Sequence, residues 1–394
     1  AAHRLDRLLS LMRDASAASF LGARSFVHEL EAKHEQQAAR GGGFTRFDGD
    51  TSTFTYRVPE RVCISGGRMP LSAILSIVDE TTSWTSVGVD RYKRPGVSIS
   101  LQASLVPGGL LPQPGQLLIF ENRCERIGRT LGFQSCSVRD ESGAMVASAR
   151  HTKLLDMGQR WNWLMGPMFP VTHAVGKALG VFDERPLPKL MPNLAKLLAP
   201  EALEVKTLSA SELGLGDVRN LRAAIARHTV TPPMLNEVRI LFGGCQAMLH
   251  EQGGAHAAAA VGALADDPAL NYENVRPTCT KKAGQMVLIG MDVSYLSGAA
   301  LGDQLMLFAE AKPEVSFSHC QKTSSIVAIS RLAKMSTQEG PSFASAVGAA
   351  NTNGGSGRLA GVSGDVSENR NRLLHNICSE ARMRYTQNFD EVAS

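Results

Sequence analysis

The feature of this chain that most limits its fold is an order of elements written twice. In the first half an extended segment, 54–65, is broken by Gly66 and Gly67. Residues 70–88 then carry Leu71, Ile74, Leu75, Ile77, Val78 and Trp84 at helical spacing. Four strand-like segments follow, 96–105, 116–123, 130–140 and 144–155, parted by turn signals such as Pro107-Gly-Gly109 and Asp140-Glu-Ser-Gly143. From Met234 the order returns: an extended segment, 236–241, then Gly243 and Gly244, a helical stretch over 245–264, and strand-like segments at 285–296, 303–311, 315–323 and 325–334. Gly115-Gln-Leu-Leu-Ile-Phe120 is echoed by Gly302-Asp-Gln-Leu-Met-Leu-Phe308, and 144–150 by 326–331. A period of roughly 180 residues is too long for a stacked solenoid, so it reads as a duplicated domain.

Three segments fall outside the repeat. Residues 1–50 have leucine stripes and read as a helical arm. Residues 158–233 hold several prolines with short helical stripes and read as an ordered linker. Residues 338–394 are rich in Gly, Ser and Asn, then charged, and read as a polar tail. The two copies between them span 51–157 and 234–337.

Charge decides little here. The net value of +4 calls for neither nucleic acid nor an anionic surface. Seven cysteines, an odd number without a C-x-x-C pair, speak against a disulfide framework and a zinc knuckle, and point to a reducing compartment. His250 and His256 share a helical neighbourhood but lack further ligands, so no metal site is expected. No apolar run approaches the roughly 20 residues of a membrane span.

The helix followed by four antiparallel strands, with Pro95-Gly-Val-Ser-Ile-Ser100 opening the sheet, resembles the hotdog fold. Gly128-Arg-Thr-Leu-Gly-Phe-Gln134 and Ser148-Ala-Arg-His-Thr-Lys153 look like the third and fourth strands of small acyl-CoA thioesterases of the phenylacetate and thioesterase-superfamily type. Phe242-Gly-Gly-Cys-Gln-Ala-Met-Leu-His-Glu251 is similar to that family's His-Gly-Gly signature and helix. Met291-Asp-Val-Ser-Tyr-Leu-Ser297 matches its central strand. The resemblance implies an α+β fold of two tandem hotdog domains, each a long helix wrapped by an antiparallel sheet, forming an intramolecular pseudo-dimer.

It also implies a chemistry. Thioester hydrolysis needs a carboxylate to take a proton from water. It needs N–H donors set in advance for the oxyanion, as at a helix start. In the family the glycines and an Asn come from one subunit, and the acid and a Ser from the other. Carried over by position, Asn236, Gly243 and Gly244 of the second copy join Asp79 and Ser98 of the first. The reciprocal site would hold Glu251, but Leu288 stands where the family has Ser or Thr, and Pro70-Leu-Ser72 where it has its signature. One working or ancestral site and one degenerate site are expected. Phe242 stands where the family commonly has His.

The expected function is hydrolysis of a fatty acyl-CoA, with CoA entering only as part of the substrate and no separate cofactor. The alternative is a structural subunit of a large assembly, with the arm and tail binding protein partners. A mitochondrial matrix location, or otherwise a cytoplasmic one, fits both readings.

Overall fold

Helix formation over residues 71–89 follows from its apolar spacing and from Pro70, whose extended backbone starts the first turn. The helix is buried on almost every side, so its polar residues need partners within it. They find them four residues back. Ser76 donates to Ser72 O at 2.8 Å, Thr81 to Ile77 O at 2.9 Å, Thr82 to Val78 O at 2.6 Å and Thr85 to Thr81 O at 2.8 Å. Ile74 and Leu75 are fully buried, each contributing about 1.5–3 kcal/mol. Truncating Ile74 to alanine would cost about 2–5 kcal/mol.

The computed structural model describes residues 43–63, 67–92, 94, 96–106, 110–156, 202–207, 222–231, 234–235, 240–266, 286–318, 321–334 and 377–387, with isolated positions between 158 and 175. In chain order the elements are β1 (Gly43–Asp48), β2 (Thr51–Arg57), α1 (Leu71–Val89), β3 (Val97–Leu105), β4 (Leu117–Ile127), β5 (Leu131–Asp140), β6 (Met145–Leu154), β7 (Ala202–Thr207), β8 (Arg222–Thr229), α2 (Gly243–Asp266), β9 (Met286–Tyr295), β10 (Gln304–Ser318), β11 (Gln321–Lys334) and β12 (Ile377–Gln387). The ten pairings whose register is described are antiparallel.

The chain divides into two units. The first takes Ala1–Ala199, Val230–Met248 and Ile289–Tyr295; the second takes Pro200–Thr229, Leu249–Leu288 and Leu296–Ser394. In the first unit the strands lie in the order β1-β2-β4-β5-β6-β3-β9, with α1 packed on β2 to β6. That is the helix-on-sheet arrangement of a hotdog domain. Alternation along β4 to β6 sends Leu118, Phe120, Val138, Ala147 and Ala149 inward to meet α1. In the second unit the order is β12-β11-β10-β8-β7.

The end of α1 is tied down by a buried ion pair. Arg94 reaches Asp90 through Nε at 2.8 Å and Nη2 at 3.1 Å, and donates to the carbonyls of Arg129 and Gly128 in the β4–β5 turn.

Several expectations need correction. The linker, expected to be helical, carries strands β7 and β8. The tail carries β12, which pairs with β11 from Ile326↔Tyr385 onward. Of the strand expected over 236–241, residues 236–239 lie outside the described residues, and Leu235 and Leu241 at its flanks form an isolated bridge. The segments expected at 303–311 and 315–323 are one strand, β10, and the beginning of β11. Pro313 lies within β10; proline is tolerated in a strand where no ladder hydrogen bond is needed from it, and among the described residues β10 pairs with β8 only as far as Ala311. The expected arm helix lies outside the described residues. Five cysteines, Cys63, Cys124, Cys136, Cys245 and Cys378, are buried thiols outside any disulfide. No described helix is long and apolar enough to cross a membrane.

Candidate active site

Asp79 sits in the middle of α1 and is 3 % exposed. Its carboxyl is pushed up to about 6, first by burial and then by Glu80, against the opposing pull of Lys153 and of Ser98. Ser98 Oγ donates to Asp79 Oδ1 at 2.7 Å.

A register shift in β3 makes that contact possible. Leu101, Ala103 and Leu105 point into the core, and strict alternation would put Val97 and Ile99 on the same face. The pairing with β6 slips between Ser98 and Ser100, so Ser98 comes opposite the inward-facing Lys153. The bulge re-aims Ser98 toward Asp79.

The start of α2 closes the other side. A β-carbon added at Gly243 would stand 3.0 Å from Asp79 Oδ2 and 3.2 Å from Tyr295 Cζ. Tyr295, at the end of β9, donates its hydroxyl to Gly243 O at 2.9 Å. At Gly244 a β-carbon would meet Ser76 Oγ at 2.5 Å, and also the Phe242 ring. Both glycines are there because α2 begins too close to α1 for side chains. All these residues belong to the first unit. A carboxyl therefore lies against the start of a helix, where negative charge is favoured.

Two more groups complete the surroundings. His151 on β6 is 1 % exposed. Its Nε2 lies 2.9 Å from Ser98 Oγ, and its Nδ1 lies 2.7 Å from Thr82 Oγ1. Burial, reinforced by Lys153, holds its imidazole well below the usual range, so it is neutral. Lys153 is buried as well. It donates to Ser83 Oγ at 2.7 Å, and Ser83 donates to the Asp79 carbonyl at 2.5 Å. Burial lowers the Lys153 ammonium, while Asp79 and Glu80 raise it.

Four of the residues read from sequence thus come together: Asp79, Ser98, Gly243 and Gly244. Asn236 lies outside the described residues. Glu251 is in the second unit, buried, and its backbone carbonyl accepts from Tyr385. Leu288 is fully buried in that unit. His250 is held between Ser330 and Ser379, 2.8 Å from each, and burial pushes it down to about 3. No cluster with metal-ligand character occurs among the described residues.

His151, Thr82, Lys153 and Tyr295 were missed. The strand pattern held a signal for two of them. Alternation from Ala147 and Ala149 places His151 and Lys153 on the same inward face. Thr82 is three residues after Asp79 on the same helical face.

No protein-family model matches the chain, and no curated protein does. Solved structures similar to it include a protein described as an oleoyl thioesterase from Lactobacillus plantarum, 10% identical over 87% of this chain and 97% of that one, with a TM-score of 0.44. An acyl-ACP thioesterase from Bacteroides thetaiotaomicron is 10% identical over 85% and 98%, with a TM-score of 0.41. Thioesterase superfamily member 2 from zebra fish is 20% identical over 28% and 79%, with a TM-score of 0.27.

Proposed function

We propose that the chain hydrolyses a fatty acyl-CoA thioester at the site around Asp79. The observation that carries this reading is the Asp79 carboxyl, buried, bonded to Ser98, and set against the glycine start of α2. Asp79 takes a proton from water, and the water oxygen attacks the thioester carbonyl carbon. The N–H groups of Gly243 and Gly244 hold the oxyanion that forms. Collapse breaks the C–S bond; the thiolate takes up the proton, leaving a fatty acid and free CoA. Asn236 orients the water in this scheme. A carboxyl raised to about 6 suits the task, being more basic than an ordinary Asp yet ionised at neutral pH.

The reading of the chain as two fused hotdog copies belongs to this proposal. The repeated order β2, α1, β3 to β6 and β8, α2, β9 to β12 supports it. Glu251 then marks the degenerate counterpart, with Leu288 in place of Ser98. Leu288 also favours a second reading, a retired enzyme serving as a structural subunit that binds partners through its ends.

Free-thiol release from short, medium and long acyl-CoAs decides between them, with Asp79→Asn as control and circular dichroism to verify folding. Turnover that the variant lacks supports hydrolysis. No turnover above the variant at any chain length, from a folded sample, sinks it and favours the structural reading.

A further inference from the structure

Asp79, Ser98, His151 and Thr82 form an unbroken line of short contacts inside the first unit. The links run from Asp79 Oδ1 to Ser98 Oγ (2.7 Å), Ser98 Oγ to His151 Nε2 (2.9 Å), His151 Nδ1 to Thr82 Oγ1 (2.7 Å), and Thr82 Oγ1 to Val78 O (2.6 Å). Each hydroxyl has one proton to donate, and a neutral imidazole has one N–H. With Asp79 ionised, the line owns three protons for four links. With Asp79 protonated it owns four, and every link is filled.

The place of the missing proton follows from the acceptors. Val78 O lies within α1 and keeps the backbone N–H of Thr82 as its helical partner whichever way the Thr82 hydroxyl points. Leaving that link empty therefore costs least, whereas an empty link elsewhere sets lone pair against lone pair in a buried site. The ionised state thus has Ser98 donating to Asp79, His151 Nε2–H donating to Ser98, and Thr82 donating to His151 Nδ1. The protonated state reverses the line: Asp79 donates to Ser98, Ser98 to Nε2, Nδ1–H to Thr82, and Thr82 to Val78 O.

We propose that this line is a proton switch, in which each gain or loss of the Asp79 proton reverses the Ser98 hydroxyl and exchanges the His151 tautomer. The proposal deepens the hydrolase reading and rests on it for its purpose. When Asp79 takes the water proton, the line closes behind it and stabilises the protonated acid. His151 is a positioning residue here, acting through Ser98, whose 2.7 and 2.9 Å contacts are shorter than the 3.4 Å from His151 Nε2 to Asp79 Oδ1.

The charged and titratable groups facing the line leave it in place. Lys153, from β6, is occupied by Ser83. Glu80, on α1, accepts from Trp84 Nε1 at 2.8 Å. Tyr295, from β9, is held well above its ordinary value, by burial first and then by the charge of Asp79, and stays neutral. From α2 the line meets the backbone at Gly243.

The second unit supplies an internal control. Counted from Glu251 as Thr82 is from Asp79, the equivalent position is Gly254. Matching Ala149–Arg150 to Ala381–Arg382 puts Met383 at the place of His151. The match holds in space, since a β-carbon at Gly254 would stand 2.6 Å from Met383 Cε, just as Thr82 meets His151. Leu288 stands for Ser98. Hydroxyl, imidazole and hydroxyl have all given way to groups that carry no exchangeable side-chain proton.

The test is the side-chain nitrogen spectrum of His151 in the full chain, labelled with 15N-histidine and assigned by loss of signals in His151→Gln. It is followed from about pH 4.5 to about pH 8, with the Asp79 carboxyl carbon tracked in parallel. The expected result is exchange of the protonated and bare nitrogen between Nδ1 and Nε2, with the same midpoint as Asp79. In Asp79→Asn, and in Ser98→Ala, one tautomer should persist throughout. A single tautomer in the wild-type chain while Asp79 titrates, or an imidazolium in that range, overturns the switch. The readout needs no turnover. A switching His151 in a chain that releases no thiol sinks the hydrolase reading alone, and a fixed His151 in a chain that does release thiol sinks the switch alone.

Discussion

The backbone of Gly243 lies so close to the Asp79 carboxyl that a β-carbon there would stand 3.0 Å from Oδ2. Tyr295 leaves it no room on the other side, with Cζ at 3.2 Å. Gly243→Ala must therefore push either the carboxyl or the start of α2. At these distances the neighbour must give by a few tenths of an ångström, less than the displacement on the order of 1 Å that lowers turnover about 100-fold. We expect a loss of about tenfold in kcat for thiol release, with a fall in stability of about 1–3 kcal/mol from overpacking. Full activity in Gly243→Ala would remove Gly243 from the site.

Gly244 is tighter and faces a different neighbour. Its β-carbon would meet Ser76 Oγ at 2.5 Å and Cβ at 2.6 Å. Gly244→Ala should destabilise more than Gly243→Ala in urea unfolding. Because the clash is with one short side chain, Ser76→Gly in the same chain should restore part of the loss, and the Phe242 ring should withhold the rest. A double-mutant cycle without coupling would show that the two helices do not meet there.

Much of this was legible in the sequence, for reasons that particular residues make plain. The α1 stripe and the β3 to β6 alternation are local patterns, and local patterns specify local structure. Asp79, Gly243 and Gly244 were named by carrying the family's site over, residue by residue, onto the repeated order of elements. Ser98 was named from resemblance alone; plain alternation would have left it facing outward, since a β-bulge is written in pairing rather than in composition. β12 was hidden by the polar stretch after Lys334, and the match of 326–331 to the last strand of the first copy misplaced the end of the second. The better match, Ala381–Arg382, lay in what read as a tail. His151 escaped because alternation gives its inward face but nothing local names its partners, which come from β3 and α1.

Asp79 should make the protein less stable as pH rises. Its folded value, about 6, lies above its ordinary 3.8. Between those values the folded chain holds a proton that the unfolded chain has lost, so stability falls through that window and stays low above it. A shift of roughly 2 units corresponds to about 3 kcal/mol. Asp79→Asn cannot ionise. It should match the wild type near pH 4 and exceed it by up to about 3 kcal/mol at pH 8 in denaturant melts. Equal stabilities at pH 8 would mean that Asp79 is not buried as a strained carboxylate. The same titration should reduce wild-type kcat/KM about tenfold per unit below about pH 6.

The Asp90–Arg94 pair predicts the opposite slope. Burial alone would raise the Asp90 carboxyl, but hydrogen bonds from Arg94 and its charge hold it below the ordinary value. Its contribution is present above about pH 3.9 and is lost as pH falls through the lower folded value. Side-chain exposure is 7% for Arg94 and 2% for Asp90, so removing one partner strands the other without water. Arg94→Met should cost about 3–5 kcal/mol at neutral pH, and less in acid, where the stranded Asp90 takes up a proton. It also frees the carbonyls of Gly128 and Arg129 from their anchor. Adding Asp90→Leu should recover the part due to the buried charge and leave the part due to the turn. Urea melts of the two single variants and the double variant separate these contributions. If Arg94→Met cost the same at pH 3 as at pH 7, its role would be packing at the β4–β5 turn and not charge.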